Sequence, residues 1–375
     1  MAKNLAVLLL ISVALTPLSV EAADESGSLS KSIDAIFDSY TRGSRPGCAA
    51  GVIRNGKYIH KAGYGLANLE HGIPITSRSV FRTGSLSKQF TAMAVALLAE
   101  RGDLDLDADV HTYLPELMDY GHEVTVRQMV HHLAGMGDYG HESFTKANGE
   151  HFRFGSRDFW TIEEFYQAVA KTDLVHPPGT KWQYSNLAYF LLSKVVEKAA
   201  GKTLREFAAE EIFGPLGMEQ TFFNDNVSEL VPGRADGYKL IDGKYEIYRT
   251  NLSWVGDGGI YTSLDDFIAW DQNFTNNKLG KGGNGLIETV LTAHPDAIVG
   301  NGTTSDFNYA FGLFVGNADG EPMIGHSGSW VGFTSYYYRY PRRSLSVVVF
   351  CNSADAKARE LGTELGAVAL ELVKE

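Results

Sequence analysis

The stretch "GSLSKQFTAMAVALLAERG" (Gly84–Gly102) decides how the rest of the chain is read. After Lys88 it is apolar on nearly all sides, which marks a helix buried inside the protein rather than lying on its surface. Ser85 would stand at the first turn. There, free N–H groups and the helix dipole favour developing negative charge. Lys88 lies one turn on, on the same face. A lysine held near a buried helix start loses part of its proton affinity and can act as a base. Read alone, the pair also fits an N-cap serine with a snorkelling lysine.

The same pentapeptide, "GSLSK", also stands at Gly27–Lys31. Ser-x-x-Lys arises by chance roughly once in a chain of this size, so the surroundings must separate the copies. The first follows the polar run "AADES" and precedes Ile33, Ile36, Phe37 and Tyr40 at helical spacing. That pattern predicts an amphipathic helix whose start is in solvent. Ser28 or Ser30 would be its N-cap. Lys31 would point to water on a fraying end, where nothing lowers its pKa.

The chain has 375 residues, 44% apolar and 21% charged, enough for a large core. Its formal charge of −12 disfavours a nucleic-acid partner, which needs a basic face. Lys3, the apolar run "LAVLLLISVAL" and "VEA" at Val20–Ala22 read as a cleavable secretory signal over residues 1–22. The mature protein would then be secreted or periplasmic, and no run in it is long enough to span a bilayer. Export permits a disulfide. Cys48 and Cys351, however, both sit in runs that look like buried strands, and the preferred reading is two small buried thiols.

After the first helix, "PGCAAGVIRNGKYIHKAGYGLAN" predicts a β-hairpin turning at Asn55-Gly56. The middle of the chain is mostly helical. Helix starts are marked by Thr125, by Thr161 with Glu164, by Thr203 with Glu206, and by Ser263. Strands return in the last third as "YAFGLFVG", "PMIGHSG", "FTSYYYRY" and "LSVVVFCN", followed by a helix over about 354–374. The predicted class is α/β (α+β), with one antiparallel sheet built from both ends of the chain and a helical insertion. Residues 23–82 and 240–375 would form the sheet domain and 83–239 the helical one. The seam between them is a natural cleft.

An acylating serine also needs a proton route and donors for the oxyanion. "YSN" (Tyr184–Asn186) places a phenol and a carboxamide two residues apart. A phenol relays a proton if a nearby cation lowers its pKa. "HSG" (His326–Gly328) ends a strand, and its glycine would let a substrate backbone lie close. The N–H of Ser329 would face the same place. Each piece alone has a plain structural reading, as a packed tyrosine, a turn asparagine or a bulge.

Together the three pieces resemble the penicillin-recognising serine hydrolases: class C β-lactamases, D-Ala-D-Ala peptidases, D-aminopeptidases and related esterases. The family order of Ser-x-x-Lys, Tyr-x-Asn and Lys/His-Ser/Thr-Gly is met by Ser85–Lys88, Tyr184–Asn186 and His326–Gly328. "VTVRQMVHHLAGMGDY", "IFGPLGMEQTFF" and "GDGGIYTSLDDFIAW" also look like family segments, so the likeness runs through nearly all of the mature chain. The resemblance implies a β-lactamase/transpeptidase-like fold. It makes Ser85 the nucleophile and shares acid and base work between Lys88 and Tyr184. It places the oxyanion between the N–H groups of Ser85 and Ser329, with Asn186, His326, Ser327 and Gly328 at the substrate.

His326 stands where β-lactamases usually carry lysine, and a neutral imidazole is the poorer carboxylate anchor. That weakens the case for efficient β-lactam hydrolysis. His in this place looks more like D-Ala-D-Ala peptidases and D-aminopeptidases, and the resemblance implies a peptidase or amidase on D-amino-acid or D-Ala-D-Ala-type peptides, acting through an acyl-enzyme on a small-molecule or short-peptide substrate. A carboxylesterase or weak β-lactamase is the alternative within the family, and a non-catalytic scaffold the alternative outside it. No cofactor is expected. His122, His131, His132 and His141 cluster in sequence but lack a metal-binding spacing, and no metal is expected.

Overall fold

Asn55 (φ 51°) and Gly56 (φ 71°) close the expected hairpin. Positive φ at both central residues is the turn geometry whose twist matches paired strands. The turn joins β1 (Cys48–Arg54) to β2 (Lys57–Tyr64). The structure, a computed structural model, describes residues 29–140, 144, 153, 158–300, 306–318 and 320–372. The expected signal segment and Ser28 lie outside these residues.

Five strands from the last third complete the main sheet: β3 (Phe307–Tyr309), β4 (Phe314–Ala318), β5 (Glu321–Trp330), β6 (Phe333–Tyr340) and β7 (Leu345–Cys351). The order is β3-β4-β5-β6-β7-β1-β2, antiparallel throughout. Both ends of the chain thus build one sheet, as the patterning predicts. "YAFGLFVG" is not one strand. Ala310 N–H donates to Leu313 O, closing a turn that folds the run into the β3–β4 hairpin.

Alternation along β7 explains how the sheet is covered on both faces. Leu345, Val347 and Val349 pack with Ile33 and Phe37 near the N-terminal helix α1 (residues 29–36), and with Leu365 and Ala369. Val348 and Phe350 face the larger core under the helical half. Ser30 lies within α1 rather than at its cap, because the helix already includes Leu29, whose side chain is buried.

The cysteine reading needs correction. Cys48 and Cys351 are directly opposite in the β1–β7 ladder and form a disulfide across 303 residues of sequence. Both runs were read as buried strands, and both are. That they are neighbouring strands is a long-range fact that no local pattern carries.

Four more helices matter for the site. They are α2 (Lys88–Arg101), α3 (Asn186–Ala200), α4 (Leu264–Asn273) and α5 (Ala358–Leu372). Every side chain of α2 from Lys88 to Leu98 is buried. The capping boxes at Thr161/Glu164 and Thr203/Glu206 form, a third forms at Thr125/Gln128, and Ser263 caps α4. Helix α5 starts at Ala358 rather than Ala354, since Ala354 N–H is drawn to Tyr238 O. The shift places Arg359 in the first turn of α5.

Candidate active site

Ser85 stands on a 3-10 turn, Gly84–Ser87, that runs straight into α2. The turn is pinned by Ser87, whose hydroxyl donates to Gly84 O at 2.7 Å and accepts from Ile260 N at 3.0 Å. Gly84 has φ +56°, and a Cβ there would come within 2.8 Å of Ser329 N. A Cβ on Gly328 would reach within 2.0 Å of Thr83 O. Two glycines therefore let the serine turn lie directly on β5. Gly328 is thus approached by the backbone of Thr83, and it also lines the cleft in front of Ser85.

Trp330 and Phe333 flank a two-residue turn, and so form a hydrogen-bonded pair of the β5–β6 ladder. Alternation then makes Ser329–Thr334 a non-bonded pair, with the Ser329 N–H pointing away from β6. Strand β4 pairs with β5 only as far as Gly325, so that N–H meets no strand on the other side.

Lys88 is fully buried. Its Nζ donates to Ser85 Oγ at 3.2 Å, to Asn186 Oδ1 at 2.7 Å and to the Asp257 carbonyl at 2.6 Å. Burial pulls its pKa down to about 8, against the opposing pull of Asp257 and Asp138. An amine in that state can take a proton from the hydroxyl beside it. Asn186 opens α3 and bridges two charges: its oxygen faces Lys88, and its Nδ2 donates to both Asp138 carboxylate oxygens at 3.1 Å.

Tyr184 precedes Ser185, the N-cap of α3. Ser185 N–H donates to His132 Nδ1 at 3.2 Å, and its hydroxyl donates to Gly137 O at 2.7 Å. The Lys88 ammonium lies 4.9 Å from the centre of the Tyr184 ring. The Tyr184 hydroxyl is buried and makes no well-formed hydrogen bond among the described residues. Burial drives its pKa well above the usual phenol value, and the nearby Ser85 hydroxyl opposes the shift only in part. The cation expected to lower it does not do so. This tyrosine stays a protonated phenol, and the lower proton affinity belongs to Lys88.

His326 is brought to the site, but both its nitrogens are engaged within the protein. Nδ1–H donates to Ser327 O, and Nε2 accepts from Tyr309 Oη at 3.1 Å. Burial, then the Lys88 charge, lowers its pKa to about 3, so the ring is neutral. Two cations, Lys357 and Arg359, line the cleft on this side, and Arg359 of α5 reaches the motif itself: its Nη2 donates to Ser327 Oγ at 3.0 Å. Ser85, Tyr184, Ser327 and Arg359 line a cleft of about 430 Å³. On another side of Ser85 lies a chamber of about 110 Å³, lined by Arg82, Asn186, Asp257 and Ser329.

All eight sequence-predicted site residues therefore converge. Asp138, Asp257, Arg82 and Arg359 were missed. The first two stand in "GMGDY" and "GDGG", stretches noted only for their likeness, and Arg82 stands in the flank "VFRTGS". Nothing local marks Arg359. His131 Nδ1–H donates to Arg127 O, His132 packs on Tyr184, and His141 lies outside the described residues. Among the described residues no cluster of His, Cys, Asp and Glu could hold a metal, and no helix is long and apolar enough to cross a membrane.

The family model for Beta-lactamase matches residues 33–371. A D-aminopeptidase of Gluconobacter oxydans is 27% identical over 83% of this chain and 56% of its own length. Esterase EstB of Burkholderia gladioli is 36% identical over 68% of this chain and 71% of its own. The octameric penicillin-binding protein homologue from Pyrococcus abyssi superposes with a TM-score of 0.78 at 28% identity, covering 93% of this chain and 78% of that one. The chain spans less than two-thirds of the length of the D-aminopeptidases it matches. Sheet order, serine turn and sequence likeness agree: the chain belongs to the Beta-lactamase family.

Proposed function

We propose that this protein is an exported serine hydrolase that works through an acyl-enzyme on Ser85. The observation that carries the reading is the 3.2 Å contact between Ser85 Oγ and a buried Lys88 amine whose pKa is drawn down to about 8. Neutral Lys88 takes the Ser85 proton as Oγ bonds to the substrate carbonyl carbon. The oxyanion is held by the N–H groups of Ser85 and Ser329. Collapse breaks the bond to the leaving group, which takes up the proton from the Lys88 ammonium by way of the Tyr184 hydroxyl. Water then bonds to the ester carbonyl carbon as its proton passes to neutral Lys88, and the ester C–O bond breaks as Ser85 Oγ takes that proton back, which releases the acid. The tyrosine is not the first base, because its phenol holds its proton too firmly; it passes one proton on only as it takes another from Lys88.

The preferred substrate is a D-amino-acid peptide or amide. The repeated D-aminopeptidase relatives support this, as does Arg359, a cation placed to anchor a carboxylate in the cleft where His326 cannot. A carboxylesterase is the second reading, favoured by the 36% identity to EstB. A fluorophosphonate probe with peptide mapping tests the centre. Labelling is expected at Ser85, and an unlabelled folded protein would leave only the scaffold reading. D-alanyl anilides, p-nitrophenyl esters and nitrocefin then rank the substrates. Export rests on the signal-like residues 1–22 and suits the Cys48–Cys351 bridge. Sequencing the mature N-terminus tests it, with Ala23 expected first.

A further inference from the structure

Arg82 stands three residues before Ser85 and is 3% exposed. Its Nε and Nη1 are buried without a hydrogen-bond partner among the described residues. Its one compensating contact among the described residues is the Tyr261 ring, 5.9 Å from the guanidinium carbon. A guanidinium so largely buried without a carboxylate against it is costly, and packing alone gives no reason to keep it. The short strand Phe81–Arg82 pairs with Ile260–Thr262. Alternation sends Phe81 into the core and Arg82 to the opposite side, into the chamber beside Ser85.

That chamber has apolar walls, Trp254 and Trp330, and one other charged group, Asp257. Asp257 does not neutralise Arg82 by contact: its Oδ2 accepts from the Tyr139 hydroxyl and its Oδ1 has no hydrogen-bond partner among the described residues. Burial pushes its carboxyl toward the neutral form. The volume of about 110 Å³ is roughly that of four waters, enough for a short chain of heavy atoms.

We propose that Arg82 is a specificity-determining residue: the chamber takes a short acyl group ending in a carboxylate, which the guanidinium binds through two N–H donors while the acyl carbon rests at Ser85. The proposal rests on the reading of Ser85 as nucleophile. It concerns a different side of that serine from the Arg359 cleft.

The test is calorimetric binding of succinamate against butyramide, amides of equal chain length ending in a carboxylate and a methyl. It is done on the full chain carrying Ser85→Ala, so that no turnover intrudes. Succinamate is expected to bind at least tenfold more tightly. Arg82→Met should bring the two within about twofold, Arg82→Lys should restore part of the gap, and Arg359→Met should leave a preference of at least fivefold. Thermal melts check that each variant is folded. Equal affinity, binding of neither amide, or a preference that survives Arg82→Met and vanishes with Arg359→Met would overturn the proposal. Fluorophosphonate labelling of wild-type Ser85 is read separately. A chamber without charge preference and a serine without reactivity are thereby told apart.

Discussion

Lys31 and Lys88 end identical pentapeptides and meet opposite fates. Lys31 is exposed on α1, a helix that buries one stripe against the sheet. Lys88 is sealed under α3 and the Asp257 loop, and its ammonium is held by three oxygens. Burial is what lowers its proton affinity. The lesson is that Ser-x-x-Lys supplies groups, while their reactivity is supplied by what covers them.

The comparison breaks most sharply at the hydroxyl. Ser85→Ala should cut hydrolysis and labelling by on the order of 10³-fold or more, while Ser28→Ala should leave both unchanged. The reverse pattern would exchange the two copies. Next comes the amine. Lys88→Met should lower kcat by roughly 10² to 10⁴-fold, against a change within about twofold for Lys31→Met. Comparable losses in the two variants would mean that burial is not what matters.

The pH profile sharpens the same point. A lysine base works only when neutral, so kcat/KM should rise about tenfold per pH unit and level off above about 8. His326, lowered to about 3, and Tyr184, raised well above the usual phenol value, contribute no limb between pH 6 and 9. A rate that is flat through pH 8 would contradict the assignment.

A smaller effect tests the frame that holds β1 against β7. Opening the bridge with Cys48→Ser and Cys351→Ser should cost about 2–5 kcal/mol of stability, read by denaturant unfolding. The serine centre should keep its labelling in the variant that remains folded. The smallest effect is at Asp138, whose charge raises the Lys88 pKa. Asp138→Asn should move the rising limb to lower pH, and a shift upward would show that another group titrates there.

Much of the centre was legible because its parts carry local marks. The apolar run after Lys88 announces a buried helix, and Asn55-Gly56 announces a hairpin. Thr161 with Glu164 announces a helix start. Each mark is read within a few residues, because periodicity, turn geometry and capping act over that range. The convergence of Ser85, Tyr184 and Ser329 followed from the resemblance rather than from spacing. Gly328 carries a second demand that no local pattern shows: the backbone of Thr83 lies against it, from a segment more than 240 residues away. The phenol of Tyr184 keeps its proton because burial raises its pKa more than the Ser85 hydroxyl lowers it.

What the sequence alone determined was the inventory and its local shape: which helix is buried, where strands turn, and which groups stand ready for acyl transfer. Tertiary structure alone decided that Cys48 meets Cys351, that Arg359 reaches Ser327, and that Arg82 Nε and Nη1 lie beside Ser85 without a hydrogen-bond partner among the described residues. These facts depend on segments tens to hundreds of residues apart. Contact and desolvation follow position in space, and no stretch of chain encodes its distant neighbours by itself.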